Sequence, residues 1–216
     1  MAARQWQAPA GRALKPLLFV LCLLPMLYLA WGAATDGLGA NPAERLIRDS
    51  GDWTLRLLCA TLAVTPLRRL LAWPALARLR RMLGLFTFSY ACLHLSCYAV
   101  LDMGLDVPAI VGDVLQRPFI LVGMVAYALL LLLWLTSFAT VIRRLGGRTW
   151  QTLHRSIYLV ALLAMVHFFL MRAGKRDFAE VFAYGVLLAA LLGARLPWWR
   201  RARWSAARRP GSLSQK

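Results

Sequence analysis

The sequence predicts an all-α membrane protein, a polytopic bundle of about six transmembrane helices. Hydrophobic residues make up 60% of the chain, whereas soluble domains are nearer half apolar. These residues are gathered in long segments, and a helix that crosses a bilayer needs about 20 mainly apolar residues. The basic residues lie in short runs between the segments, as they do in the loops of membrane proteins.

The composition also argues against two soluble functions. A net charge of +17 could indicate nucleic-acid binding, because basic surfaces attract phosphate. The position of these charges between apolar segments favours a membrane protein instead. None of the four cysteines (Cys22, Cys59, Cys92 and Cys97) forms a C-x-x-C pair, so neither a zinc site nor a thioredoxin-type motif is indicated. We expect them to be small buried residues.

Six segments are expected to cross the membrane. The first has a longer apolar run than a signal peptide, so we expect it to remain as a helix. The second is the weakest, because Arg56 and Pro66 bracket its apolar centre closely. The other four are long apolar runs of the length that a span needs. In chain order the segments are residues 16–34, 53–67, 82–101, 119–142, 150–171 and 178–196.

The distribution of charge predicts the orientation of the bundle. All nine acidic residues fall on one side, and most of the 26 basic residues fall on the other. Basic loops stay in the cytoplasm, so both termini are expected there and the number of spans is even. The basic residues of that side are Arg4, Arg12, Lys15, Arg68, Arg69, Arg78, Arg80, Arg81, Arg143, Arg144, Arg148, Arg195, Arg200, Arg201, Arg203, Arg208, Arg209 and Lys216.

The chain is expected to hold one membrane domain with two short extensions. Residues 1–15 would form a cytoplasmic amino-terminal segment, 16–197 the transmembrane domain, and 198–216 a basic cytoplasmic tail. The tail is rich in Arg and Trp, which is typical of a segment that lies on the membrane surface. The sequence contains no internal repeat and no glycine-rich phosphate loop.

Three histidines are the candidate functional residues. His94, His154 and His167 all lie inside predicted spans. An ionisable side chain in hydrocarbon is costly and usually faces the bundle interior, where a single histidine most simply bonds a neighbouring helix. Three histidines confined to two spans favour metal binding, because two neutral imidazoles across a porphyrin iron form a low-spin electron-transfer site. Zinc is not favoured, because it would need four ligands at one depth and the histidines lie at different depths.

Depth along the helices favours one pair of histidines. His154 lies about 6 Å into the fifth span, and His167 lies about 20 Å higher at 1.5 Å per residue. His94 lies about 18 Å into the third span, nearer in depth to His167. Heme iron between His94 and His167 is therefore the preferred arrangement, and His154 marks a second site on the cytoplasmic half. On an ideal helix His154 and His167 point about 140° apart, so they need not serve the same neighbour.

The second site lacks an obvious partner for its histidine. A matching residue on the third span would lie near position 81 or 107, and those positions hold Arg81 and Val107. The site would need a non-histidine ligand, a shared histidine, or a flavin or quinone in place of heme. Arg155 could pair with a heme propionate or extend to the lipid headgroups. Pro66 and Gly123 are interpreted as packing features.

Several stretches of the chain resemble a known family. The stretch RTWQTLHRSIYL at 148–159, followed by His167, resembles the ferric-reductase-like transmembrane domain. Within that superfamily the sequence is similar to the MsrQ (YedZ) family, the heme-binding membrane subunits of periplasmic protein-methionine-sulfoxide reductase systems. The resemblance covers about residues 15–197 and includes VTPLRR at 64–69, RMLGL at 81–85, RPFILVGM at 117–124 and LTS at 135–137.

The resemblance implies a place in an electron-transfer chain in the bacterial inner membrane. His94, His154 and His167 match the family's heme-linked histidines. Its members carry heme b and are described as binding FMN. For this chain the resemblance implies one or two hemes. They take electrons from the quinone pool and pass them to a periplasmic MsrP-like molybdopterin reductase, which repairs oxidised methionines. The chain ends too soon for the flavin and nicotinamide domain of larger ferric reductases, so we expect a separate donor, a membrane quinol or a soluble flavin reductase.

Two other functions remain open at this point. A single-chain transmembrane ferric or metal reductase would share the fold and the heme but would act directly on chelated metal at the outer surface. A heme-free transporter or assembly protein would use the three histidines as a proton relay. Because no substrate pocket for an oxidised side chain is indicated, the chain is expected to be a subunit without a substrate-reducing site of its own.

Overall fold

A computed structural model describes residues 9–174 and 177–195 of the chain. The expected cytoplasmic tail, 198–216, and most of the expected amino-terminal segment, 1–15, therefore lie outside the described residues. Within the described part the secondary structure is helical, as predicted, and its helices form a bundle. The helices are α1 (Pro9–Ala34), α2 (Pro42–Leu70), α3 (Leu79–Cys97), α4 (Val107–Gln116), α5 (Pro118–Leu135), α6 (Ala139–Leu145), α7 (Gly147–His154), α8 (Ile157–Ala173) and α9 (Ala179–Gly193).

The core is built from two closely packed pairs of helices, α2 with α3 and α5 with α8. Aliphatic side chains from both pairs meet in one cluster, in which Leu58, Leu62 and Val160 are each 1% exposed. The α1 helix packs on the outside of the first pair and is fixed there by Tyr90 of α3. The Tyr90 side chain is fully buried, and its hydroxyl donates a hydrogen bond of 2.8 Å to the Cys22 carbonyl.

The second predicted segment is wrong at its outer end, because α2 begins at Pro42 and not near residue 53. Asn41 caps the helix by accepting a 3.1 Å hydrogen bond from the Glu44 amide. The first turns then carry i, i+4 ion pairs, including Arg45 with Asp49 at 2.6 Å. Such pairs stabilise a helix without any apolar face, so hydropathy alone could not reveal these turns.

The fourth predicted segment is also wrong at its inner end, because α5 stops at Leu135 and the next helix, α6, is separate. The hydroxyl of Thr136 donates to the Leu132 carbonyl at 2.8 Å, and that of Ser137 donates to the Leu133 carbonyl at 2.7 Å. Side chains from elsewhere bind the next free carbonyls: Trp150 donates to that of Thr136 at 2.9 Å, and Arg81 donates to that of Ser137 at 3.0 Å. The backbone groups released at the break are thus satisfied inside the protein, as a membrane requires.

Three further differences concern the second half of the chain. The fifth predicted segment is two helices, because a turn at Arg155 and Ser156 separates α7 from α8. The sixth predicted segment is a helix of 15 residues, Ala179–Gly193. The helix α4 was not predicted, since its ten residues are too short for a span and lie in a connection.

Four parts of the described chain are long and apolar enough to cross a membrane: Ala13–Ala34, Pro74–Asp102, Pro118–Leu135 and Gly147–Ala173. Two of these, Pro74–Asp102 and Gly147–Ala173, join more than one helical element; the π-helical turn Tyr98–Asp102, for example, extends α3. Charged residues exclude α2 from this set, and α9 is shorter than about 20 residues. The protein is therefore a multi-pass membrane bundle, and the count of six spans stays a prediction.

Candidate metal centre between two histidines

The structure brings two of the three histidines together in the bundle interior. His94 lies on α3 and His167 lies on α8, and their ring centroids are 6.2 Å apart. The two ring planes are nearly perpendicular, at 83°. Both side chains are only partly exposed. Imidazoles from two different helices therefore lie close together, as expected for a pair that could hold one ligand.

Each of these histidines is fixed by a backbone carbonyl of the helix that packs beside it. The His94 Nδ1–H donates to the Ile47 carbonyl of α2 at 2.8 Å. The His167 Nδ1–H donates to the Phe119 carbonyl of α5 at 2.6 Å. A carbonyl oxygen can only accept, so the proton is on Nδ1 and the Nε2 lone pair of both rings is available for a metal. This arrangement is the usual outer-shell support of metal-binding histidine.

Two glycines make the close approach of these helices possible. A Cβ at Gly123 of α5 would lie 2.8 Å from the Nδ1 of His167. A Cβ at Gly51 of α2 would lie 3.0 Å from the Cε1 of His94. Real Cβ atoms essentially never approach other atoms closer than 3.0 Å, and contacts up to 3.4 Å are tight. Any side chain at these positions would therefore displace the rings or part the helices.

The spacing of the two rings fits a metal bound on both sides. Two metal–imidazole bonds of about 2 Å, with about 1 Å from each nitrogen to its ring centre, place the centroids about 6 Å apart. The observed 6.2 Å agrees with this value. Among residues 9–174 and 177–195 no group of three or more His, Cys, Asp or Glu side chains could hold a metal. Two neutral imidazoles alone suit an iron whose other ligands come from a macrocycle.

The third histidine occupies a separate place near the break between α5 and α6. The His154 Nε2 lies 3.2 Å from the hydroxyl of Thr136. The Trp150 ring packs over the imidazole, with centroids 4.1 Å apart. His154 ends α7, and the turn that follows reorients the chain before α8 begins. His154 and His167 therefore lie on two different helices, and the angle of about 140° expected for one continuous ideal helix does not apply to them.

His154 lines a cavity of about 390 Å³ between α3, α5 and α7. Its volume lies in the usual range of small-molecule sites. The aromatic residues Phe88, Trp134 and Trp150 form part of the wall, and Arg80 and Arg81 line it as well. The chain has no acidic residue between Asp52 and Asp102 or between Asp113 and Asp177, so the sequence segments that line the cavity supply no carboxylate. The cavity suits a flat ligand with a negative group.

All three histidines were predicted from the sequence, but the backbone carbonyls and one of the glycines that position His94 and His167 were not. The carbonyls of Ile47 and Phe119 leave no sequence signal, because every residue has a carbonyl. Gly123 was interpreted as a packing feature, and the structure identifies His167 as the group it packs against. Gly51 was not noted. A glycine inside a predicted apolar helix is the signal that could have suggested it, although the predicted second span began after this residue.

The family of this chain follows from sequence similarity to known proteins. A profile described as "Ferric reductase like transmembrane component" matches residues 50–165, which include His94 and His154 and end just before His167. The fold is thus that of a ferric-reductase-like transmembrane component. Three curated relatives carry the name "Protein-methionine-sulfoxide reductase heme-binding subunit MsrQ". The chain belongs to the MsrQ family within the ferric-reductase-like transmembrane components.

These relatives are similar over nearly their whole lengths. The protein of Polaromonas naphthalenivorans is 54% identical over 91% of this chain and 88% of its own length. That of Bordetella pertussis is 51% identical over 93% of this chain and 98% of its own length. That of Ralstonia nicotianae is 50% identical over 90% of each. The likeness therefore covers the membrane domain as a whole and is not confined to the histidine segments.

Proposed function

We propose that this chain is the membrane heme b electron-transfer subunit of a protein-methionine-sulfoxide reductase system. The observation that carries the proposal is the pair His94 and His167, whose ring centroids lie 6.2 Å apart and whose Nδ1 atoms are both hydrogen-bonded to backbone carbonyls. The name of the curated relatives, which calls them heme-binding subunits, supports it.

In this proposal His94 and His167 would hold the heme iron. Heme supplies a one-electron carrier that can be reduced and reoxidised within the membrane. The protein's part is to keep both imidazoles neutral, to present Nε2 to the iron, and to keep the rings from rotating. The carbonyls of Ile47 and Phe119 do this through the Nδ1 hydrogen bonds.

We further propose that the His154 cavity is the second cofactor site, on the cytoplasmic half. The flat ring system of a second heme or of FMN would pack against the aromatic wall of the cavity. The propionate of heme or the phosphate of FMN would pair with Arg80 and Arg81. If the cofactor were heme, His154 would hold its iron through Nε2, the atom that lies 3.2 Å from the Thr136 hydroxyl in this structure. The number of hemes, one or two, depends on which ligand occupies this cavity.

The direction of electron flow in the proposal runs from the cytoplasmic side outward. The donor is a quinol of the membrane pool or a soluble flavin reductase, and the acceptor is a periplasmic MsrP-like molybdopterin reductase. The protein would lie in the bacterial inner membrane with both termini in the cytoplasm. The charge pattern supports this orientation, since the acidic residues all lie on one side and the basic residues cluster on the other.

Heme quantitation on single-histidine variants tests the proposal. We expect His94→Ala and His167→Ala each to abolish the same bis-imidazole absorbance and low-spin resonance, and His154→Ala to leave that signal in place. Ser96→Ala, an exposed position on the same helix as His94, is the matched control and should keep full heme content. A purified wild-type protein that takes up no heme, or a signal lost from His94→Ala and His154→Ala but kept in His167→Ala, contradicts the proposal.

A single-chain ferric or metal reductase is the second candidate, favoured by the description of the matching profile. Both candidates use the same heme, so the acceptor separates them. Rapid reoxidation of the reduced protein by an added MsrP-like reductase, without reoxidation by ferric chelates at similar concentration, supports the electron-transfer subunit. The opposite order of rates supports the metal reductase.

A further inference from the structure

The short helix α4, Val107–Gln116, carries a row of aliphatic side chains, here called the aliphatic stripe, that is largely exposed. Val107, Val111 and Leu115 are 65%, 52% and 73% exposed. They are spaced at i, i+4 and i+8 and therefore lie on one face of the helix. None of the ten residues of α4 is buried. A row of large exposed aliphatic side chains on one face indicates a contact surface.

The opposite face of α4 is tied to the bundle. The Tyr98 hydroxyl, in the turn that follows α3, donates a 2.8 Å hydrogen bond to Asp113. Arg117, which precedes α5, forms a 2.8 Å ion pair with the other oxygen of Asp113. At about 100° per residue, Val111 points about 160° away from Asp113 around the helix. With its polar face held against the bundle, α4 must present its aliphatic stripe away from it.

The stripe continues the apolar surface that the neighbouring spans turn outward. Val100 and Leu101, at the end of the α3 span, are 49% and 46% exposed, and Leu121 and Val125 of α5 are 43% and 45% exposed. These faces belong to segments that are long and apolar enough to cross a membrane, where exposed apolar side chains would contact lipid. Because α4 connects the ends of these two spans directly, it lies at the level of the membrane surface.

We propose that α4 is an interfacial helix whose Val107, Val111 and Leu115 are immersed in the lipid leaflet on the acidic side of the bundle. The occupant of this face is the acyl-chain boundary of the bilayer. The stripe is purely aliphatic, whereas protein interfaces draw most of their binding energy from Trp, Tyr and Arg. An apolar face opposite a polar one is the usual form of a helix that lies in the membrane interface.

Seating α4 in lipid has a consequence for the histidine pair. Asp113 holds Tyr98, which is one helical turn beyond His94 on the same span. It also holds Arg117, which lies two residues before Phe119, the residue whose carbonyl binds His167. A lipid contact at α4 thus restrains the outer ends of both helices that position the site. The inference concerns the lipid contact alone and stands apart from the proposed function.

Depth-dependent fluorescence quenching tests the inference on the full chain in liposomes. A bimane label at Val111→Cys is compared with one at Gln116→Cys, an exposed position on the polar side of the same helix. The wild-type protein, treated with the same label, measures background labelling of the four native cysteines, which are buried or partly buried. Helicity of each variant by circular dichroism reports correct folding.

We expect lipids brominated near the headgroup end of the acyl chain to quench the Val111→Cys probe at least about twofold more than the Gln116→Cys probe. Aqueous iodide should show the reverse order. Equal quenching of the two probes by brominated lipid overturns the inference. So does a Val111→Cys probe that is open to iodide in liposomes and becomes shielded only when a soluble partner protein is added.

Discussion

Replacing Gly123 by alanine tests the geometry of the histidine pair most directly. The new Cβ would lie 2.8 Å from the His167 Nδ1, whereas ordinary contacts begin near 3.4 Å. The ring or the α5 backbone must therefore give way by about 0.6 Å. The ring cannot retreat without loss, because its Nδ1–H is bound at 2.6 Å to Phe119, on the same helix as the glycine.

The energetic expectation for Gly123→Ala follows from two opposing effects. Alanine in a helix interior is favoured over glycine by about 0.5–1 kcal/mol. Overpacking of a closely packed site costs about 1–3 kcal/mol. Gly185→Ala on α9 is the matched control, since its Cβ would meet only the Met165 Cε at 3.9 Å. Gly185→Ala gains the helix propensity of alanine without a steric clash. The difference in stability between the two variants therefore measures the steric cost at Gly123.

The assay is heme content per chain, the low-spin resonance of the oxidised protein and the thermal midpoint of the purified protein in detergent. We expect Gly123→Ala to shift the resonance, to lower heme content and to melt below the control, while Gly185→Ala matches the wild type or exceeds it. The reasoning is refuted if Gly123→Ala equals Gly185→Ala in all three measurements. In that case the helices have room that the structure does not show.

Three smaller predictions concern other contacts. Gly51→Ala should have the same effects in weaker form, because its Cβ contact of 3.0 Å is less severe, and heme content again measures it. Tyr90→Phe removes a buried hydroxyl that holds α1, so we expect a loss of about 1 kcal/mol and a lower thermal midpoint with an unchanged heme spectrum. Thr136→Val removes the hydroxyl beside His154 and should alter ligand binding in that cavity without changing the bis-imidazole signal; a changed bis-imidazole signal would show that the two sites are not separate.

Much of the fold could be predicted because hydrophobicity is local. The first and third spans follow from continuous apolar runs. The helix α3 agrees with the expected segment within four residues, and α1 ends at Ala34 as expected but begins at Pro9, seven residues before the expected start. The ends that were mispredicted are held by polar contacts. Asn41 and Glu44 begin α2 ahead of its apolar part, and Thr136 and Ser137 end α5 inside an apolar run.

The candidate site was predictable in its side chains and not in its supports. His94 and His167 stand out because imidazole is rare and costly in a membrane. Depth counted along the helices favoured this pair, and the structure places the two rings 6.2 Å apart. The assignment of these residues as heme ligands stays a prediction. The turn at Arg155 and Ser156 could not be read from the ideal helix, and it is this turn that separates His154 from the pair.

The sequence by itself determined the class of fold and singled out the three histidines, whereas the orientation of the bundle stays a prediction from the charge pattern. Composition and charge decide these features, since a bilayer sorts residues by their solvation energy wherever they lie in the chain. Only the tertiary structure decided which histidines meet, which carbonyls orient them and why Gly51 and Gly123 face them. The physical reason is that ring orientation depends on hydrogen bonds between helices far apart in sequence, such as His94 with Ile47, and a carbonyl looks the same at every position.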